Sequence, residues 1–364
     1  MTMDIPLAVA GLLLVALAVR DVWASVLHPD AEGVFAKGIR RGTWRLATAC
    51  GALLPTWRRH LLALAGPAII ALTFTAWILL VILGLTFVVY PMRDEYVTVP
   101  ETGNLTFLDT LYYVGGTVTV LGYGDIFPVT GTGQMLALVA SALGFTMFTG
   151  MASYLIEVVT GMTTRNRFAL AIHDGVRGTS GAAMLAKWLA EDGVGAVRRR
   201  CHDWAGLLRS IDELVHRYPL VAFTYRSHRH EYDPEPALRH AAEATVAALV
   251  AARLIPGLRS ASSELASALM RLQTTIAENY LSAEVARKLS VASPNDGDRH
   301  SVIRVERLVT ERAEIRTGDL HAPRLAELSD ADQDAATVVH RSRILLDALK
   351  QWTRGDIDDH EWDA

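Results

Sequence analysis

Cysteine is scarce. The chain of 364 residues has two, Cys50 and Cys201, far apart in sequence. A disulfide framework and a cysteine-built zinc site are therefore excluded. An excess of basic charge is missing too: 35 Lys and Arg face 39 Asp and Glu, a net charge of −4. No nucleic-acid partner is expected from that balance. Residues 1–6 contain Asp4 and neither Lys nor Arg. A basic n-region is thus absent, and no small-residue cleavage site follows cleanly, so a cleaved secretory signal is not expected. The charge-rich second half lacks both alternating strands and a Gly-x-Gly-x-x-Gly turn. No nucleophile stands beside a base in a catalytic pattern, so no enzyme is proposed.

What the chain does have is long runs without charge. Hydrophobic residues make up 51% and charged residues 20%, but the two are segregated. The first 165 residues are mostly apolar and the remainder is charge-rich. Residues 5–19 are uninterrupted apolar sequence, resuming at 22–27 after Arg20 and Asp21. As one helix this stretch reaches the ~20 residues that a bilayer requires. Arg20 and Asp21 then fall near an end, where snorkelling is cheapest. A helix lying in the interface is the alternative. Residues 61–90 carry no formal charge. As a helix they extend about 45 Å, longer than the ~30 Å hydrocarbon core, so tilting or protrusion is expected. Residues 133–160 form a third such run, with Glu157 as its one charge.

Between the first two runs, residues 28–60 hold Lys37, Arg40, Arg41, Arg45, Arg58 and Arg59 interleaved with Phe35, Ile39, Trp44 and Leu46. This reads as an amphipathic segment whose basic face, within 37–59, lies near anionic lipid headgroups. Cytoplasmic loops concentrate Lys and Arg, which places it inside. The N-terminus and the acidic 91–104 segment are then outside, and Arg165 and Arg167 mark an inner terminus.

Residues 105–117 are too short to span, with Thr106-Phe107-Leu108-Asp109 as a helix start. They lead into Gly116-Thr117-Val118-Thr119-Val120-Leu121-Gly122-Tyr123-Gly124-Asp125. This stretch, held between two spans, resembles the selectivity filter of the two-transmembrane pore-loop potassium channel superfamily. The resemblance covers roughly residues 61–165. It implies an all-α membrane protein: a tetrameric pore-loop channel of outer helix, pore helix, filter and inner helix. This chain adds an N-terminal membrane helix and an α-helical cytoplasmic domain. The expected division is 1–60, 61–165 and 166–364.

By the same resemblance, ions are bound at Thr119, Val120, Leu121, Gly122, Tyr123 and Gly124, with Asp125, Tyr112 and Tyr113 as filter support. Gly144 and Gly150 are candidate hinges of the inner helix; close helix packing is the alternative. Thr149, Ser153 and Glu157 are candidate lining of the inner pore. Potassium is the permeant ion and no cofactor is implied. One pore loop per chain makes the partner three further copies of itself, in the plasma membrane. The usual filter begins Thr-Val where this chain has Val120-Leu121, so hydroxyl ligands at the innermost site are lost. Gly116 stands where some relatives carry a glutamate that pairs with the filter aspartate; a Tyr112–Asp125 contact can substitute. Only Arg20 lies in an apparent span, so no voltage sensor is present.

The second half reads as helices at 181–192, 194–218, 235–254, 262–289, 301–316 and 330–352. Asp233-Pro234-Glu235 forms a helix start, 291–300 is a break, and 356–363 is an acidic tail expected to be disordered. Leu265, Leu269, Leu272 and Ile276 are spaced 4-3-4, as in a coiled coil or a core helix. His228 and His230, beside Glu231 and Asp233, form a candidate divalent-metal or pH site; a polar loop is the alternative. The cytoplasmic ligand or partner is not identified by any motif. A poorly conducting membrane-anchored sensor is the second functional reading.

Overall fold

The computed structural model describes residues 4–27, 32–99, 105–219, 222–291, 293–312 and 330–353; the expected acidic tail at 356–363 lies outside them. The chain is an all-α membrane protein with one small hairpin. Three helical stretches are long and apolar enough to cross a membrane: Ile5–Val26, Pro55–Glu95 and Gly131–Val176. The chain divides into two compact units. One joins Met1–Arg45 to Ala65–Val159, and the other joins Leu46–Leu64 to Thr160–Ala364.

In the first unit, α1 (Asp4–Val22) ends in a π-helical turn at Trp23–Leu27. It crosses α3 (Arg58–Val89) closely: a Cβ on Gly11 would collide with the Gly84 carbonyl oxygen and Phe87. Small residues are what allow such an approach between apolar helices. Asp21 does not snorkel as expected. It is buried, and its carboxylate accepts from Trp77 Nε1 at 2.8 Å and from the backbone N–H groups of Phe35 and Ala36 at 3.0 and 3.1 Å. It therefore caps α2 (Val34–Leu53) from a distance in sequence, and three donors compensate its burial.

The basic segment is also divided. Arg40 is buried and paired with Glu32 through two hydrogen bonds of 2.7 and 2.8 Å. Arg58 and Arg59 bond to groups in the second unit, Thr353 and Asp233 among them. Lys37, Arg41 and Arg45 remain exposed at four-residue spacing on α2, so the basic face is narrower than the composition implies.

A two-stranded antiparallel hairpin, unexpected from the sequence, joins β1 (Tyr96–Thr98) to β2 (Ile126–Pro128). Between them lies α4 (Phe107–Val118), and beyond them α5 (Gly131–Val176), a single unbroken helix.

The second unit is a helical bundle of α6 (Gly181–Glu191), α7 (Gly193–Arg217), α8 (Pro234–Leu254), α9 (Arg259–Tyr280), α10 (Ala283–Ser290), α11 (Asp296–Arg312) and α12 (Asp330–Thr353). The centre is α8, buried on nearly every face and packed by α6, α9, α11 and α12. Its alanines, Ala241, Ala244, Ala247, Ala248 and Ala251 among them, let neighbours approach from all sides. Leu265, Leu269, Leu272 and Ile276 are all fully buried within the bundle, so the 4-3-4 series is core and not a coiled-coil seam.

Two helix boundaries differ from expectation. The long 262–289 helix is broken after Tyr280, where the Ser282 hydroxyl caps α10 by accepting from Val285 N–H. The expected break at 291–300 already contains the start of α11: Asn295 N–H donates to the Asp298 carboxylate at 2.9 Å, and Asp298 N–H to Asn295 Oδ1 at 3.0 Å. This reciprocal cap opens the helix five residues earlier than the apolar pattern suggested.

Cys201 is buried on α7, and burial pushes its thiol up to about 11. The thiolate is the reactive form. We therefore expect a maleimide at neutral pH to leave Cys201 unlabelled until the chain is denatured. Peptide mapping after labelling checks this.

Candidate ion-conduction site

The site is built from the end of α4 and the ten residues around it. α4 begins with a capping box: Thr106 Oγ1 accepts from Asp109 N–H, and the Asp109 carboxylate accepts from Thr106 N–H at 2.8 Å. At its C-terminus Thr119 N–H donates to Gly115 O at 2.9 Å, Val120 N–H to Thr117 O at 3.2 Å, and Leu121 N–H to Gly116 O at 2.7 Å. The last two bonds close a helix end of the kind that normally places glycine in the left-handed conformation. Here Val120 occupies that position, at φ 58°. A β-branched side chain with positive φ is an outlier, costing on the order of 1–2 kcal/mol. Sequence reading treated Val120 only as a lost hydroxyl; this strain has no signature in composition.

Beyond Val120 the positive values recur at Gly122 (φ 65°) and Gly124 (φ 78°), while Leu121 and Tyr123 keep negative φ. In an ordinary strand, successive carbonyls point to opposite sides. Alternating left-handed with right-handed residues reverses every second peptide and turns a run of carbonyls to one side. Gly122 and Gly124 adopt this at little cost. Residues 119–124 are all exposed.

The support comes from three directions. The Tyr112 ring stacks on Tyr123, centroids 6.3 Å apart and nearly parallel, with the Asp125 carboxylate near its hydroxyl. Tyr113 packs edge-on against Tyr96 of β1 at 5.1 Å. Val99 N–H holds the Asp125 carbonyl at 2.8 Å, so the hairpin anchors the outer end of the segment.

α5 presents two contrasting faces. Ala140, Gly144, Met147, Met151, Tyr154 and Val158 are buried at 4-3-4-3-4 spacing. Thr146, Thr149, Ser153 and Glu157 are exposed at 3-4-4 spacing. The Thr149 hydroxyl is bonded back to Phe145 O at 2.9 Å. Gly144 lies directly against the end of α4: a Cβ there would overlap the Val118 carbonyl oxygen. Gly150 has open space around it.

Residues 76–161 match the family described as Ion channel. This segment is an ion-channel domain. It takes in the second half of α3, the hairpin, α4, the 119–125 segment and most of the exposed length of α5. The chain is also similar to an uncharacterized membrane protein, YdjJ, of Bacillus subtilis (strain 168), with 24% identity over 172 residues. That match covers 46% of this chain and 49% of the relative, so the chain spans about half the relative's length. No solved structure gives a significant match.

The histidine pair lies outside the channel domain, and the structure changes its reading. Arg59 fills the place a metal ion would take. Its guanidinium bonds to His230 Nδ1, to the Asp233 carboxylate at 3.0 Å and to the His228 carbonyl at 3.0 Å. His60 stacks on His228, centroids 4.7 Å apart. Among the described residues no three His, Cys, Asp or Glu side chains come together to hold a metal. The histidine pair therefore makes a protein-internal contact with Arg59. Asp233 precedes α8 as expected, but its side chain makes no cap; it turns to Arg59 instead. Burial pushes its carboxyl above the ordinary carboxylate range, against the opposing pull of Arg226 and Arg59.

Glu235, expected as an early helix acid, is buried against Arg226, with one of two hydrogen bonds at 2.7 Å. Arg165, expected to mark an inside terminus, is 3% exposed. It donates to Ala222 O and Tyr225 O at 2.9 and 2.8 Å. Neither burial was legible from the sequence.

Proposed function

We propose that the chain is a potassium-selective channel that works as a homotetramer, gated through α5 by the helical bundle. The observation that carries this reading is the recurrence of positive φ at Val120, Gly122 and Gly124, with Leu121 and Tyr123 between them negative, a backbone suited to turning carbonyls to one side. Potassium gives up its water to rings of such carbonyls, and ions in adjacent rings drive one another onward. One chain provides one side of a ring, so four copies are required. The exposed polar stripe of α5 supports the same assembly. Thr149, Ser153 and Glu157 are costly against lipid but suited to a water-filled pore, where four Glu157 carboxylates concentrate cations. Bending of α5 is assigned to Gly150, which has room, and not to Gly144, which is seated against α4. The chain sits in the plasma membrane with its bundle in the cytoplasm, and Lys37, Arg41 and Arg45 face anionic headgroups.

The test is ion flux from liposomes containing the purified protein. Potassium flux exceeding sodium flux is expected; equal permeation of both, or none under any condition, sinks the reading. Val120→Thr restores four hydroxyls at the inner entrance and is expected to raise conductance more than it alters selectivity. Single-channel recording in bilayers checks it.

The second reading is a membrane-anchored sensor whose pore conducts poorly. The strained, hydroxyl-free Val120 favours it, and low flux rescued by Val120→Thr alone is its expected signature.

A further inference from the structure

The second unit contains a cavity of about 450 Å³, within the size range of small-molecule sites. One wall is apolar: Ala169, Ile172 and Val176 from the last turns of α5, and Pro236 and Ala237 from the first turn of α8. The remaining lining is polar. Two of its carboxylates already have partners. Asp233 is paired with Arg59. Glu243 accepts from Gly181 N–H at 2.7 Å and pairs with His240 Nδ1 at 3.0 Å. Arg239 is different. Its Nε is buried and has no hydrogen-bond partner, and its one described side-chain contact is a long 3.4 Å approach to His240. A buried guanidinium N–H left unmatched is costly and calls for an acceptor. His173 stands in the same lining as a further donor.

We infer that this cavity is an effector site for a small organic anion, a carboxylate or phosphate ester no larger than a nucleoside monophosphate. Arg239, helped by His173, takes the anionic group, and the apolar wall takes the body. Glu231, in the same lining, opposes the anion and sets a ceiling on affinity. The site touches what gating requires. Its apolar wall belongs to α5, the helix that runs unbroken from Gly131 to Val176, and its rim includes His230 and Asp233, which grip Arg59 in the first turn of α3. The effector role rests on the channel reading; the binding site does not.

The experiment uses the full chain in detergent, with inorganic phosphate, AMP and glutamate as probes, followed by thermal shift and calorimetric titration. Saturable binding of at least one probe is expected, and which of them binds distinguishes phosphate from carboxylate. Arg239→Gln should weaken binding about tenfold or more, the worth of one charged hydrogen bond. Glu231→Gln should tighten it. No saturable binding by any of the three probes overturns the site, as does binding that neither substitution changes. Liposome flux is then measured with and without the bound probe. Binding without any change in flux overturns the effector role and leaves the channel reading standing. Absence of flux in every condition, with binding intact, fails the channel reading and leaves the site.

Discussion

Gly144→Ala is expected to destabilise the membrane unit by about 3 kcal/mol, at the upper end of overpacking costs. The added methyl collides with the Val118 carbonyl oxygen, which is backbone and not the free end of a side chain. Neither α5 nor α4 can move aside easily. Val118 is the last residue of α4, and the helix-closing bonds from Val120 and Leu121 begin immediately after it. Displacing Val118 therefore displaces the carbonyl run. Both the thermal transition in detergent and the flux are expected to fall. For the thermal transition, Gly150→Ala on the same helix is the control. Its Cβ meets nothing within 4 Å, and alanine gains about 0.5–1 kcal/mol of helix preference over glycine. Equal losses for the two variants would refute the packing account of Gly144.

Glu235→Ala is expected to cost the bundle about 3–5 kcal/mol, the usual penalty for orphaning one partner of a buried ion pair. Glu235 and Arg226 have side chains 4% and 9% exposed. The loss is aggravated by Arg165, a second buried guanidinium close enough to feel Arg226. Without Glu235 two cations face each other with less compensation. Replacing both partners by apolar residues, Arg226→Met with Glu235→Leu, should recover much of the loss, because no charge is then left buried alone. Chemical denaturation followed by far-UV circular dichroism measures both. A double variant as unstable as Glu235→Ala would show that packing, not charge, holds this place together.

How far the sequence could be read varies with the length scale of the signal. The three membrane helices were legible because runs of some twenty to thirty residues with almost no charge leave no other economical fold. The Thr106 cap and the Ser180 cap were legible because capping is a local event within four residues. The Asn295–Asp298 cap is equally local, but it was hidden inside a Pro-Asn-Asp-Gly stretch that resembles a turn. Asp21 was misplaced for the opposite reason. Its partners are 14, 15 and 56 residues away, and nothing near it in sequence announces them.

The candidate site divides along the same line. Gly122, Tyr123, Gly124 and Asp125 identify themselves by residue type. The strain at Val120 does not, because it arises where a helix end meets the start of the carbonyl run. The histidine pair was read as chemistry because His228 and His230 are only two residues apart in sequence. Arg59, some 170 residues earlier, occupies that place instead.

By itself, then, the sequence determined what is local or bulk: membrane spans from uncharged length, the pore segment from its glycines and tyrosine, and an all-helical second half from its periodicity. The tertiary structure decided where charges are spent. Asp21, Arg59 and Arg165 carry no local sign of their partners, and all find distant ones in the fold. The physical reason is that burying a charge is tolerable only when long-range contacts supply its hydrogen bonds, and no window of sequence contains both ends of such a contact.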